Sequence, residues 1–187
     1  MPSVNRRRFV EHSTRRLAAT AACGTLQESQ ATPLSPLSVG IMGVRGRGRG
    51  LATGFAGMPD VEVTYICDVD EEVLHTRSSD IQQLQGKSPK SVRDFRRILD
   101  DPSVDALVVA TPDHWHARIA SDALRAGKHV YCEKPMVQNI ADGQKLIRLE
   151  KNSNCVLEVG SQFVSSIVFE EARKQFEAGA IGELNMI

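Results

Sequence analysis

The sequence lacks any excess of charge and any long apolar run. Its 187 residues contain 23 lysines and arginines against 23 aspartates and glutamates, so the formal net charge is zero. A chain without net charge has no overall field that attracts nucleic acid, although its N-terminus is locally basic. The apolar runs are as short as strands, whereas a membrane-spanning helix needs about 20 consecutive apolar residues. We therefore expect neither a nucleic-acid partner nor stable membrane insertion.

Cysteine is scarce and has no metal-binding spacing. The four cysteines are Cys23, Cys67, Cys132 and Cys155. They form no C-x-x-C pair, and a chain of this length can bury a core without disulfides, so we expect small buried thiols. His114 and His116 stand two positions apart and therefore do not share a helix face. We predict no metal site.

A glycine-rich turn between two apolar runs is the first sign of a nucleotide site. The apolar run 37–42 leads into Gly43-Val44-Arg45-Gly46-Arg47-Gly48, then helix-compatible sequence, then a second apolar run that ends in Asp68. This order is typical of a dinucleotide-binding βαβ unit. The glycines let backbone amides approach a pyrophosphate, which the N-terminus of the following helix attracts. The alternative interpretation is a solvated loop rich in glycine and arginine.

Asp68 indicates which dinucleotide is bound. It follows Gly43 at close to the spacing of roughly 20 residues that such motifs show. Its carboxylate is placed to accept hydrogen bonds from the adenosine ribose and would repel a 2′-phosphate, so we expect NAD rather than NADP. The cofactor-binding residues predicted from this region are Gly43, Val44, Arg45, Gly46, Gly48 and Asp68.

Arg45 departs from the dinucleotide motif. It occupies the second glycine position of G-x-G-x-x-G, where a side chain normally obstructs the pyrophosphate. Two arrangements are open: the side chain turns outward, or its planar guanidinium contacts phosphate directly. Arg47 and Arg49 would add positive potential.

The first 36 residues form a separate segment. Asn5-Arg6-Arg7-Arg8-Phe9-Val10 resembles a twin-arginine export signal, and small residues follow at 17–22. Charged residues shorten the apolar part, so a basic tail on a cytoplasmic protein is the alternative. Residues 24–36 contain prolines and polar residues typical of a linker. We predict a signal and linker over 1–36, and export to the periplasm.

The remaining chain alternates strand and helix patterns. Predicted helices lie near 48–57, 71–84, 94–100, 114–126, 139–152 and 166–178. Predicted strands lie near 37–42, 61–67, 105–110, 129–132, 155–159 and 183–187. The strands are apolar almost throughout, as in a parallel sheet covered on both faces. This pattern predicts an α/β fold with a doubly wound parallel sheet over 37–155.

Two strand ends carry the most specific motifs. Ligands of open α/β sheets bind at the carboxyl ends of strands. Here one end reads Ala110-Thr111-Pro112-Asp113-His114-Trp115-His116 and another reads Glu133-Lys134-Pro135. Together with the glycines, these motifs resemble the glucose-fructose oxidoreductase, inositol dehydrogenase and rhizopine catabolism family (Gfo/Idh/MocA). The resemblance extends over about residues 37–187.

The resemblance implies roles for individual residues. Lys134 would be the catalytic residue, beside the nicotinamide and the reacting carbon, where an ammonium assists proton transfer from a substrate hydroxyl. Glu133 would orient Lys134 or the nicotinamide ribose. Thr111, Pro112 and His116 would line the cofactor. Relatives often have a cis peptide bond at the position of Lys134–Pro135.

The resemblance also implies a function and a domain order. It suggests an NAD-dependent oxidoreductase acting on a sugar, polyol or related hydroxyl compound, and full-length relatives are often homo-oligomers. An NAD-dependent glycosidase of the same family, and a dinucleotide-binding fragment without catalysis, are the alternatives. Members normally continue into a second α/β domain, so we expect residues 156–187 to be the truncated start of that domain. On that expectation the chain retains nucleotide binding with an incomplete catalytic site.

Overall fold

The computed structural model of the protein describes residues 35–162 and 166–182. Six strands are present in this part of the chain: β1 (Leu37–Met42), β2 (Val61–Cys67), β3 (Lys90–Val92), β4 (Ala106–Val109), β5 (His129–Glu133) and β6 (Leu157–Gly160). Six α-helices connect or follow them: α1 (Gly46–Ala56), α2 (Glu71–Gln85), α3 (Arg96–Leu99), α4 (His116–Arg125), α5 (Ile140–Asn152) and α6 (Ile167–Glu177). A 3₁₀ turn, Asp113–Trp115, leads into α4.

All six strands form one parallel sheet in the order β3-β2-β1-β4-β5-β6. β2 and β3 follow on one side of β1, and β4, β5 and β6 follow on its other side. A crevice therefore opens between the connections that leave β1 and β4, at the carboxyl edge of the sheet. This doubly wound topology is the predicted one.

Both faces of the sheet are covered, which explains the nearly continuous apolar strands. Val130 and Cys132 of β5 belong to a buried cluster with Ile119 of α4 and Leu146 of α5. Tyr131 lies between them and points to the opposite face, where its ring contacts Phe55 of α1 edge-on at a centroid distance of 6.1 Å. Alternate side chains of one strand thus enter two different cores.

Most predicted elements are found close to their predicted bounds. The strands 37–42 and 61–67 have the predicted limits, and the helices differ by a few residues at their ends. β3 was not predicted, because it has three residues and two of them are exposed. β6 pairs with β5, so the sheet extends to Gly160, past the boundary predicted at residue 155. The strand predicted at 183–187 and the segment 1–34 lie outside the described residues.

Local signals fix the ends of the longer helices. The Asp70 carboxylate accepts the N–H groups of Glu72 and Val73 at the start of α2, and Gly86 ends that helix with a φ of +76°. Cys67, Cys132 and Cys155 are buried free thiols, as predicted, and Cys23 lies outside the described residues. None of the helices in the described ranges has the length and apolar character needed to span a membrane.

A buried lysine holds the loop that leads into β4. Lys128 is 6% exposed, and its Nζ donates hydrogen bonds to the carbonyl oxygens of Asp101 at 2.7 Å and Val104 at 2.8 Å. The ammonium satisfies two backbone acceptors that have little access to water. It thereby connects the loop before β4 to the turn before β5.

We expect Lys128→Met to destabilise the fold by about 1–3 kcal/mol, because two carbonyl oxygens lose a charged donor. Urea unfolding of the chain measures this change. Lys145→Met is the matched control, since Lys145 is an exposed residue of α5, and its effect should stay within about 0.5 kcal/mol. Equal stabilities for the two variants would contradict a structural role for Lys128.

Candidate nucleotide-binding and catalytic site

Two glycines allow α1 to begin against the backbone of the neighbouring strands. Gly43 has a φ of +80°, and a Cβ there would lie 2.8 Å from the carbonyl oxygen of Ala110. A Cβ at Gly48 would overlap the carbonyl oxygen of Gly43. Only glycine fits at these two positions. At the turn predicted to hold a pyrophosphate, the ends of β1 and β4 are therefore in close contact with the start of α1.

The N-terminus of α1 faces this crevice without a side-chain cap. Arg45 is the N-cap residue, in extended backbone conformation, and its side chain makes no capping hydrogen bond. The first turn contains no acidic residue. The first N–H groups of a helix have no partner within it and carry a partial positive charge. This end of α1 is consequently suited to an anion.

Asp68 is bound to the glycine turn. Its Oδ2 accepts a hydrogen bond from the Val44 N–H at 3.0 Å, and its Oδ1 accepts one from the Asp70 N–H at 3.2 Å. The carboxylate at the end of β2 thus lies next to the start of α1, where the sequence predicted a ribose-binding group. Cys67, directly before it, is inert: burial, together with the charge of Asp68, raises the pKa of this thiol to about 12.

Arg45 takes the first of its two open arrangements. Its guanidinium forms an ion pair with Asp70, the capping residue of α2, and the side chain is 66% exposed. The side chain is therefore directed toward the start of α2.

The turn after β4 is held by His116. This residue is 2% exposed; its Nδ1 lies 2.8 Å from the carbonyl oxygen of Pro135, and its Nε2 lies 2.8 Å from that of Thr111. The ring therefore joins the turn after β4 to the turn after β5. The Thr111 hydroxyl is buried and has no hydrogen-bond partner among the described residues. Pro112 precedes the 3₁₀ turn at the same edge.

Glu133 and Lys134 follow at the end of β5. Glu133 is 4% exposed, and its Oε1 accepts a hydrogen bond from Arg47 Nε at 2.7 Å. The hydrogen bond and charge of Glu133 raise the pKa of Arg47. Oε2 of Glu133 accepts the Lys134 N–H at 3.3 Å and Gln162 Nε2 at 3.5 Å. The Lys134 side chain is exposed, and the Lys134–Pro135 peptide bond is cis, as the resemblance implied.

The structure brings the predicted residues to one edge of the sheet. Gly43 lies against Ala110 and Thr111, and Arg47 in the first turn of α1 reaches Glu133 on β5. Asp68 lies at the other end of the crevice, directly after β2. No local pattern in the sequence indicates two of the contacts, the pair Arg47–Glu133 and the pair Arg45–Asp70. Their partners are far apart in sequence, and only the order of the strands brings them together.

Comparison with known proteins establishes the family. Residues 37–161 match the family described as "Oxidoreductase family, NAD-binding Rossmann fold", the Gfo/Idh/MocA family. The match includes the glycine turn, Asp68 and both strand-end motifs. The chain belongs to this family.

The relatives include a dehydrogenase and a glycosyl hydrolase. Levoglucosan dehydrogenase of Pseudarthrobacter phenanthrenivorans is 37% identical over 94 residues, which cover 50% of this chain and 24% of the relative. A Shewanella protein described as "Glycosyl hydrolase family 109 protein 2" is 29% identical over 180 residues, which cover 84% of this chain and 40% of the relative. The chain therefore spans less than half the length of these relatives.

A solved structure supports the same fold. Scyllo-inositol dehydrogenase from Lactobacillus casei, with bound NAD(H) and scyllo-inositol, matches with a TM-score of 0.72 and 21% sequence identity. The match covers 80% of this chain and 43% of that chain. The similarity shows that the six-stranded sheet and its helices are arranged as in that protein.

The close contact at Gly48 makes a direct test of the turn possible. We expect Gly48→Ala to destabilise the chain by about 1–3 kcal/mol, because the methyl group forces α1 away from the Gly43 carbonyl. Gly50→Ala in the same helix is the control: its methyl would have no heavy atom within 4 Å, and it should stabilise α1 by about 0.5–1 kcal/mol. Thermal unfolding of both variants measures the change in stability. A Gly48→Ala variant as stable as the unmutated chain would contradict the described packing.

Proposed function

We propose that the crevice binds NAD(H) and that the protein transfers hydride between the cofactor and a hydroxyl-bearing carbon of a sugar or polyol. The observation that carries the proposal is the position of Asp68. Its carboxylate is hydrogen-bonded to the Val44 N–H, at the turn where Gly43 and Gly48 allow close backbone approach. The ribose group and the pyrophosphate group of a dinucleotide would meet there.

The residues present fit a dinucleotide. Asp68 would accept the adenosine ribose hydroxyls, and the uncapped start of α1 would hold the pyrophosphate with its N–H groups. At the other end, Glu133 and Thr111 would face the nicotinamide ribose and its neighbourhood. Bound NAD supplies the hydride acceptor or donor, which no side chain can supply.

Lys134 is the residue proposed to act on the substrate. Its side chain is exposed at the end of β5, and it has no ion-pair partner within the described part of the chain. Its backbone N–H donates a hydrogen bond to Glu133, which fixes the position of the backbone from which the side chain extends. The ammonium would donate a hydrogen bond to the substrate hydroxyl and assist the transfer of its proton.

The substrate class rests on the relatives. One relative is named for its dehydrogenation of levoglucosan, an anhydro sugar. A related protein from Thermotoga maritima, 26% identical over 151 residues, is named "Myo-inositol 2-dehydrogenase". Both names point to a secondary hydroxyl on a ring carbon. We propose that this protein takes substrates of the same chemical class.

We expect the 187-residue chain to bind NADH, and a form of it joined to a complete second domain of this family to oxidise a sugar or polyol with net formation of NADH. Lys134→Met should lower turnover by about 10²- to 10⁴-fold, the usual value of general acid–base assistance, and should affect NADH affinity far less. NADH fluorescence titration and NADH absorbance measure the two effects. Lys145→Met, an exposed lysine on α5, is the control. Full turnover by Lys134→Met would exclude the proposed role.

An NAD-dependent glycosidase is the second candidate. It is favoured by the match to the family 109 glycosyl hydrolase over 84% of this chain. Such an enzyme oxidises the sugar transiently and returns the hydride, so it requires NAD but accumulates no NADH. Cleavage of a chromogenic glycoside with NAD present and without net NADH would identify this activity.

We also propose that the protein is exported in folded form by the twin-arginine route. The support is the sequence Arg6-Arg7-Arg8-Phe9 near the N-terminus and the requirement for a bound cofactor, since this route carries folded proteins. These residues lie outside the part that the structure describes.

Fusion of residues 1–36 to a reporter that functions only in the periplasm tests the export proposal. We expect export in a bacterium with an intact twin-arginine system, and loss of export when Arg6 and Arg7 are both changed to lysine. Lysine keeps the positive charge, so the loss would reflect recognition of the arginine pair. A reporter that stays in the cytoplasm with both arginines present would support the alternative of a basic tail.

A further inference from the structure

The Arg45 guanidinium lies beside Asp68, the carboxylate proposed to bind the adenosine ribose, and it forms an ion pair with a second aspartate, Asp70. Arg45 follows Val44, whose N–H binds Asp68 Oδ2, and the Asp70 N–H binds Asp68 Oδ1. The Arg45 guanidinium pairs with Oδ2 of Asp70. Arg45 and Asp70 therefore flank the carboxylate proposed to bind the adenosine ribose. A phosphate on that ribose would lie beside both of them.

The surrounding groove is rich in arginine. Its volume is about 380 Å³, and it is lined in part by Arg45, Arg49 and Arg77. Arg49 has no carboxylate partner within the described ranges. Arg77 pairs with Asp80, but its Nε is buried and has no hydrogen-bond acceptor among the residues that the structure describes. Guanidinium groups in this number suit a phosphate, because their planar donors match its oxygens.

Asp70 counteracts this positive charge while it also caps a helix. Its Oδ1 accepts the N–H groups of Glu72 and Val73 at the start of α2, whereas its Oδ2 pairs with Arg45. The cap needs only an oxygen acceptor, which asparagine also provides. The ion pair needs the negative charge. The two functions of Asp70 are thus separable by a single isosteric substitution.

We propose that Asp70 is a specificity-determining residue, which disfavours NADP(H) by holding Arg45 in an ion pair and so keeping its guanidinium from a 2′-phosphate. The proposal rests on the proposed binding of NAD(H) in this crevice. It differs from the role of Asp68, which would contact the ribose directly. Asp70 would act through Arg45, the group that would otherwise bind the 2′-phosphate.

Asp70→Asn tests the proposal in the 187-residue chain. We expect the ratio of the Kd for NADPH to the Kd for NADH to fall about tenfold, the scale of one hydrogen bond to a charged group. Added salt should reduce this change, because the contact is electrostatic and partly exposed. Arg45→Met in the Asp70→Asn background should restore the original ratio. Isothermal titration calorimetry with NADH and NADPH measures every variant.

The control and the contrary outcomes separate the two proposals. Asp122→Asn removes a carboxylate that pairs with Arg118 and Arg125 on α4, and it should leave the ratio unchanged. If Asp70→Asn binds NADH and its ratio is also unchanged, the proposal for Asp70 is wrong and cofactor binding stands. A gain that persists after Arg45→Met overturns the role of Arg45. If the unmutated chain binds neither dinucleotide, the proposed function fails first.

Discussion

The close approach of α1 to the ends of β1 and β4 is the constraint on which the rest of the crevice depends. With side chains absent at Gly43 and Gly48, Gly43 lies against the backbone of Ala110, and the first turn of α1 lies against the Gly43 carbonyl. This contact fixes both the position and the direction of the helix N-terminus at the carboxyl edge of the sheet. Charged groups on the first turn of α1 can then reach the strands on either side.

Two arginines of this turn extend in opposite directions. Arg45 pairs with Asp70 at the start of α2, and Arg47 pairs with Glu133 at the end of β5. Residues two positions apart do not share a helix face, so this divergence follows from their spacing at the start of α1. The turn is thereby connected to the proposed ribose end of the crevice and to the proposed nicotinamide end. One short segment organises both.

The sequence predicts the elements of this fold better than their contacts. β1 and β2 are largely apolar runs, β1 between Pro36 and Gly43 and β2 between Asp60 and Asp68, and their predicted limits agree with the structure. β3 contains a single buried residue, Val92, so it has no apolar pattern to detect. It exists because the edge of β2 offers hydrogen bonds to Lys90–Val92. Whether such a strand forms depends on pairing with a neighbouring strand, which the local sequence does not indicate.

The same distinction holds for the site. Gly43, Asp68 and the two strand-end motifs are short patterns with a direct chemical meaning, and the structure places them at one edge. The partners of Arg45 and Arg47 lie 25 and 86 residues further along the chain. Neither pairing follows from a local pattern, since both depend on the order of strands in the sheet. His116 is similar: its motif predicts a turn, but its contact with Pro135 requires β4 and β5 to be neighbours.

The Arg47–Glu133 pair contributes more to the geometry of the crevice than to stability. The Glu133 side chain is 6% exposed, whereas that of Arg47 is 47% exposed. Removing a carboxylate from water is costly, and a single partner offsets that cost with little net gain in folding free energy. The effect of the pair is geometric, because Glu133 also accepts hydrogen bonds from Gln162 and from the Lys134 N–H. Glu133 thus connects the backbone of Lys134 to the first turn of α1, and the Lys134 ammonium is left for the role proposed above.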